Sequence, residues 1–442
     1  MTTHTVGPIF TDLYELTMAA SYFSHQRFDK ATFSLFIRNH AANRTYYVAA
    51  GLEDILNELE AFQFSETDIA YLKSTGLFSD DFLDYLSKLR FSGAVHALPE
   101  GTIFFPEEPV AEVTAPLIEA QLLETLILNT IGFQTMIATK AARCVHAAGG
   151  RAVIDFSLRR TQGRDAGMKV ARSGYIAGIA GTSNVLAGKI YGIPVSGTMA
   201  HSYVTAFDSE LEAFSAYSKT FPQSTVLLID TYDTLQGARN AAAVAREMKK
   251  KGASLVGVRL DSGDMAELSR QVRKILDDAG FAEVKIFASS GFDEYKVADV
   301  LSRGAKIDAF GVGTKVGVSA DEPYVDIVYK MVRFKDRDVR KLSPGKITLA
   351  GEKQVFRKFD SKGQYVEDII GLRDEIIEDA KPLLVKVMEN GTRTLPSPSL
   401  EEIRGRFEDN FSRLNPKYKD ILQQHHYPVR LSARLKALQE RT

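Results

Sequence analysis

The feature that most constrains this chain is a rhythm. Between about residues 150 and 316, short runs of β-forming residues alternate with helical stretches. The runs are 152–156, 193–197, 226–230, 255–260, 285–288 and 309–311. Between them lie helical patterns such as 234–251 and 265–279, with Gly280 and Gly304 where helix C-caps belong. Strands separated by helices do not pair as hairpins. Each crossover returns the chain in the same direction, so the rhythm predicts a parallel sheet or α/β barrel. The units share no visible sequence similarity, so the rhythm is architectural rather than a sequence repeat.

In such folds the chemistry gathers where strands end, and here the strand ends are polar and small. They read Asp155-Phe156-Ser157-Leu158-Arg159-Arg160, Gly197-Thr198-Met199-Ala200-His201-Ser202, Arg259-Leu260-Asp261-Ser262-Gly263-Asp264, Ser289-Ser290-Gly291 and Gly311-Val312-Gly313-Thr314. Free backbone N–H groups past a strand end favour phosphate, and small residues let the backbone approach it. Ser290-Gly291 and Gly311-Val312-Gly313-Thr314 fit that use. A tight turn alone accounts for either one, but two consecutive units of this kind favour a phosphate site. Arg159 and Arg160 suit bidentate contact with phosphate or carboxylate, or a solvated surface pair. Arg259 is harder to explain as surface, because it sits inside an apolar run. An arginine there needs an anion, which is Asp261, Asp264 or a ligand. His201 is a general base, a metal ligand or a covalent nucleophile, and the residue pattern does not choose among them. Nothing matches a Walker A loop or a dinucleotide fingerprint: Gly178–Ser183 contains Gly181-Thr182 but no strand is expected before it.

Outside the rhythmic segment the pattern changes. Residues 1–135 mix helical stretches (12–22, 51–62, 65–74, 80–88 and 116–130) with strand-like runs between Phe91 and Val113. Residues 325–380 read as strands and turns, and 398–442 as a charged helical tail. The expectation is an α/β barrel over 136–324 and one discontinuous α+β domain built from 1–135 and 325–442. Composition narrows the function classes. Lys and Arg number 55 against 56 Asp and Glu, a net charge of -1, so no global field recruits nucleic acid or an anionic membrane. One cysteine, Cys144, excludes an intrachain disulfide and a cysteine-rich zinc site. No run approaches the roughly 20 apolar residues of a membrane span, and no signal-peptide pattern opens the chain. A cytoplasmic location is expected.

Taken in order, these motifs resemble the nicotinate phosphoribosyltransferases. Thr11-Asp12-Leu13-Tyr14-Glu15-Leu16-Thr17-Met18 is similar to the family's opening signature, and Tyr427–Ser432 to its closing motif. The segments around Asp155, His201, Arg259, Ser290 and Gly311 follow in the family's order. The resemblance implies a type II phosphoribosyltransferase fold, an α/β barrel plus a discontinuous open-faced α+β sandwich. It implies a homodimer with shared active sites, Mg2+, and ATP as co-substrate. The implied reaction joins nicotinate to 5-phosphoribosyl 1-diphosphate for NAD biosynthesis, driven by ATP through a phosphohistidine at His201. By the same resemblance Asp261 holds the ribose hydroxyls. Ser290, Gly291, Gly313 and Thr314 cradle the 5-phosphate, Arg38 and Arg159 hold the diphosphate with magnesium, and Gly311 and Arg160 also belong to the 5-phosphoribosyl 1-diphosphate site. Phe156 and Tyr14, the latter from a second subunit, sandwich the pyridine ring, and Arg259 and Thr198 meet its carboxylate. Ser183 follows Gly181-Thr182 where nicotinamide-using relatives carry an Asp, which favours the acid over the amide. The competing expectations are a nicotinamide enzyme of the same class and a sugar-phosphate barrel isomerase or aldolase. For the aldolase, Lys315 is the candidate Schiff-base lysine.

Overall fold

The computed structural model describes residues 6–38 and 43–442. The chain divides into two compact units, 1–139 with 324–442, and 140–323. The first unit is therefore interrupted by the second. The helix Glu124–Ala147 carries the chain across the first boundary. From sequence a helix is expected over 116–130, well short of the observed end at Ala147. Within the helix Gly132 is an approach point: a Cβ there would lie 3.0 Å from Ile327 Cγ2.

The first unit is built on a seven-stranded antiparallel sheet. Its inner strands are Ile327–Phe334, Lys30–Ile37, Pro109–Pro116, Ala94–Ala97 and Val385–Glu389, in that order. Amphipathic helices cover it. Leu52–Glu60 buries Leu52, Ile55, Leu56 and Leu59, the i, i+3, i+4, i+7 stripe of a helix lying on a core. A four-stranded sheet follows the order Ala380–Pro382, Lys353–Phe359, Tyr365–Leu372, Val429–Leu431. The last of these corrects the expected helical tail. The helix Leu400–Arg413 ends well before Tyr427, and Val429–Leu431 pairs parallel with 368–370 before a final helix, Ala433–Arg441. Three residues are too few to show a period, so only the partner strand reveals this one.

The second unit carries the rhythm. Its six-stranded sheet has the order Gly181–Thr182, Ala152–Asp155, Ala309–Val312, Lys285–Ala288, Gly257–Leu260, Val226–Leu228, all parallel. The last strand in sequence pairs with the first, so the sheet curls back on itself as a barrel does. The expected strand 193–197 survives only as one parallel bridge, Thr182 to Val195. Pro194 removes a donor from that run, which confines it to an edge. Among the described residues no ladder joins Val195 to Val226–Leu228, and the barrel is open along that line. Both glycine stops behave as expected. After helix Met265–Asp278, Gly280 (φ 84°) donates to Asp277 O and Phe281 to Leu276 O. Gly304 (φ 79°) ends Glu294–Ser302 in the same way. No described helix is long and apolar enough to cross a membrane.

Candidate active site

Alternation along the short strands decides what faces the lumen. In Ala152–Asp155, Gly257–Leu260 and Lys285–Ala288 the third residue is only partly buried while its neighbours are buried. These are Ile154, Arg259 and Phe287, and all three line one cavity of about 480 Å³. Phe156, Gly197, Thr198, Tyr217 and Gly311 complete the part of the wall that matters here. Gly311 sits in the strand beneath Phe156. A Cβ at 311 would fall 2.6 Å from both Cδ2 and Cε2 of that ring. Gly311 thus makes room for an aromatic wall.

Arg259 is the charged group of this cavity. Its Nη1 donates to Thr198 Oγ1 at 2.6 Å and its Nη2 to Met199 O at 2.8 Å. Its Nε is buried with no hydrogen-bond partner. Burial pulls the guanidinium down from its ordinary value, and the carboxylates of Asp261 and Asp230 pull it back. Asp264, one partner the sequence left open, is engaged elsewhere. It caps helix Met265–Asp278 and lies 2.5 Å from Arg303. A partly buried arginine with an unmet buried donor in a largely apolar, aromatic-walled cavity is suited to a planar carboxylate.

A second cluster lies at the strand ends. Asp230 follows the strand Val226–Leu228, and its Oδ2 accepts from the Asp261 amide at 2.8 Å and from Ser262 Oγ at 2.6 Å. Ser289 Oγ donates to Asp261 Oδ1 at 2.5 Å, which fixes the other side of that carboxylate. Asp261 Oδ2 is 3.9 Å from His201 Nε2, and His201 Nδ1 is 3.1 Å from Thr231 Oγ1. The imidazole is 45% exposed, so it is oriented yet reachable. Asp230 and Thr231 were not singled out from sequence, and Ser289 was read there only as part of the Ser289-Ser290-Gly291 turn, not as a partner of Asp261. Their one signal was position, since each stands at or just past a strand end.

The loop after Lys285–Ala288 is unusual. Ser290 has φ 84° and Gly291 φ 66°, two consecutive left-handed residues. For serine this is a costly conformation, and such strain gathers at functional sites. Lys296 Nζ donates to Ser290 O at 2.8 Å, and Asp293 caps the following helix through Lys296 N. Gly313 adopts φ -129°, ψ -114° and begins the short helix Thr314–Gly317. Arg159 and Arg160 form one turn, Leu158–Arg160, and Arg159 adds its field to that on Arg259. Ser183 does not line the cavity; its amide donates to Asp155 O, while Thr182 Oγ1 donates to Asp155 Oδ2 at 2.7 Å.

Tyr14 and Arg38 belong to the other unit. Tyr14 is 47% exposed on helix Leu13–Ser24. Arg38 follows strand Lys30–Ile37, lies 3.7 Å from Asp326, and has a buried Nε without a partner. Lys315, the Schiff-base candidate, has its Nζ 2.6 Å from Asp293 Oδ2 and is not on the cavity wall. An ion-paired ammonium is a poor nucleophile.

Comparison with known proteins gives matches over nearly the whole chain. Family models match in three segments: the nicotinate phosphoribosyltransferase N-terminal domain over residues 9–132, the family proper over 152–350 and its C-terminal domain over 376–439. Nicotinate phosphoribosyltransferase pncB2 of Mycobacterium tuberculosis is 46% identical, over 97% of this chain and 92% of its own. The Bacillus subtilis nicotinate phosphoribosyltransferase is 40% identical, over 96% and 92%. A crystal structure of human nicotinic acid phosphoribosyltransferase superposes with a TM-score of 0.88 at 30% identity, covering 98% of this chain and 99% of the other. With the half-open barrel, the arginine-bearing cavity and these matches over nearly the whole length, the chain belongs to the nicotinate phosphoribosyltransferase family.

Proposed function

We propose that this protein joins nicotinate to 5-phosphoribosyl 1-diphosphate, forming nicotinate mononucleotide and diphosphate, with ATP hydrolysis coupled through His201. The observation that carries the substrate reading is the unmet Nε of Arg259 beside Phe156 in the lumen. The pyridine ring stacks on Phe156 and its carboxylate meets Arg259 and Thr198. The ring nitrogen forms a bond to the anomeric carbon as the bond from that carbon to diphosphate breaks. Positive charge develops on the ribose, and the Asp261 carboxylate, held by Ser289 and the Asp230-braced backbone, stabilises it. Ser290, Gly291, Gly313 and Thr314 take the 5-phosphate, and Arg38, Arg159 and Arg160 the diphosphate.

Among the described residues no group of three or more His, Cys, Asp or Glu forms a ready metal cage. A Mg2+ ion that arrives with the diphosphate still fits, because Asp230 Oδ1 is a buried acceptor without a partner. Asp230 and Asp261 are the carboxylates to hold it, and it would supply charge neutralisation to the leaving group. In the coupling step His201 Nε2, with Nδ1 turned to Thr231, attacks the γ-phosphorus of ATP. The N–P bond forms, the bond to the bridging oxygen breaks and ADP leaves. Water later takes the phosphoryl group as inorganic phosphate. A homodimer completes the reading: Tyr14 is exposed in a run with exposed Phe10 and Leu13, a face suited to a second copy.

The test is mononucleotide formation from 5-phosphoribosyl 1-diphosphate and Mg2+, with nicotinate or nicotinamide, each with and without ATP. Product from nicotinate alone, raised by ATP with matching ADP release, is expected. Product from nicotinamide overturns the acid specificity, and no product from either overturns the reaction.

A further inference from the structure

The two loops assigned to the 5-phosphate rest on a shared set of charges, all but one of them buried or nearly so. Asp293 follows Gly291 by two residues and is 7% exposed. Its Oδ1 accepts from Lys296 N at 2.9 Å, and its Oδ2 receives Lys315 Nζ at 2.6 Å. Lys315 stands two residues past Gly313. This one ion pair therefore ties the turn 289–291 to the turn 311–314. Behind it the next residue, Glu294, is fully buried between Lys140 Nζ (2.5 Å) and Arg143 Nε (2.8 Å), and Lys140 also meets Asp321 at 2.7 Å. Asp293, Glu294 and Asp321 thus face Lys140, Arg143 and Lys315, acids and bases in equal number.

A carboxylate beside a phosphate cradle is a liability. Left uncompensated, Asp293 would repel the anion its own turn is shaped to hold, and in a partly desolvated site that repulsion is weakly screened. Lys315 removes it. Burial pushes the Asp293 carboxyl up, but the Lys315 ammonium and the Lys296 amide outweigh burial and hold it below its ordinary range. Lys315 is also the exposed member of the set, its side chain 41% accessible.

We propose that Lys315 is a positioning residue for phosphoribosyl substrates: it neutralises Asp293 and fixes the two phosphate loops against each other, without itself contacting the phosphate. This rests on the proposed function, which assigns the phosphate to these loops. The experiment is a double-mutant cycle on the full chain, Lys315→Met, Asp293→Asn and both together, with Lys315→Arg as a pair-preserving control. Asn also caps helices well, so Asp293→Asn keeps the helix start. Ribose 5-phosphate affinity is read by calorimetry, and KM for 5-phosphoribosyl 1-diphosphate and for nicotinate by turnover.

Lys315→Met should weaken ribose 5-phosphate and raise the diphosphate substrate's KM about ten-fold, as expected for an unpaired, partly buried charge. The nicotinate KM should stay unchanged. Adding Asp293→Asn should restore both phosphate readings to within about three-fold of wild type, a non-additive outcome. A double variant as weak as Lys315→Met means the lysine binds phosphate directly, which overturns the proposal. So does a Lys315→Met protein with unaltered constants. Wild-type protein that ignores ribose 5-phosphate but still turns over would move the phosphate elsewhere and end both assignments.

Discussion

Gly311→Ala is the substitution whose effect follows most directly from the packing. The backbone at 311 is an ordinary strand, outside the positive-φ region, so alanine meets no conformational penalty there. The cost comes from the new methyl. It would sit 2.6 Å from two carbons of the Phe156 ring and 3.2 Å from Ser289 Cβ, where about 3.5–4.0 Å is comfortable. The methyl is fixed by the sheet, so the ring must yield by roughly 1 Å. Phe156 is only partly buried and lines the cavity, so the ring moves into the space the pyridine needs. Overpacking of this size costs about 1–3 kcal/mol. If most of that falls on the bound state, nicotinate KM rises by about ten-fold, and more if the ring closes the slot. The KM for 5-phosphoribosyl 1-diphosphate should change less than that for nicotinate, since the methyl stands 2.6 Å from the ring but 3.2 Å from Ser289 Cβ. Steady-state kinetics varying each substrate in turn separate the two. An unchanged nicotinate KM in a folded Gly311→Ala protein would refute the stacking role of Phe156.

Arg259→Ala should weaken nicotinate by about 1.5–3 kcal/mol, the loss of a charged hydrogen bond in a partly buried cavity; an unaltered KM excludes the contact. His201→Ala should keep basal mononucleotide formation and lose its response to ATP, measured as product per ADP released, and full stimulation in the mutant refutes the phosphohistidine. His96, on strand Ala94–Ala97, has its pKa lowered to about 4 by burial and by the charges of Arg373 and Lys386. The unfolded chain binds that proton near pH 6.5 and the folded one only near 4. Stability from this group is thus whole above pH 6.5 and drains away toward pH 4, by about 2 kcal/mol after allowance for partial exposure. An NMR titration of the ring with its midpoint near 6.5 would defeat the argument.

Much of the site was legible because strand-end chemistry is local in sequence. A residue one or two places past a βα strand is delivered to the C-terminal rim whatever the rest of the chain does. That is why Phe156, His201, Arg259, Asp261 and Ser290 could be named from spacing and motif order. Residues that act through another residue were not legible. Asp230 holds the Asp261 amide across a strand pairing, 31 positions away in sequence. Gly311 reads as a phosphate glycine, yet in the fold it also clears space for a ring 155 positions earlier. Lys315 reads as a free amine until Asp293 is found against it.

The sequence by itself determined the parallel α/β rhythm, the helix stops at Gly280 and Gly304, and the family, since each is written in neighbouring residues and their order. Only the tertiary structure decided which edge of the barrel stays open, that 193–197 contributes one bridge rather than a strand, and that Val429–Leu431 joins a sheet. It also decided which polar atoms were left unmet: the donors Arg259 Nε and Arg38 Nε and the acceptor Asp230 Oδ1 are recognisable only once every neighbour is in place. The physical reason is range. Backbone preference and periodicity act over a few residues, whereas desolvation, close packing and charge compensation depend on groups that folding alone brings together.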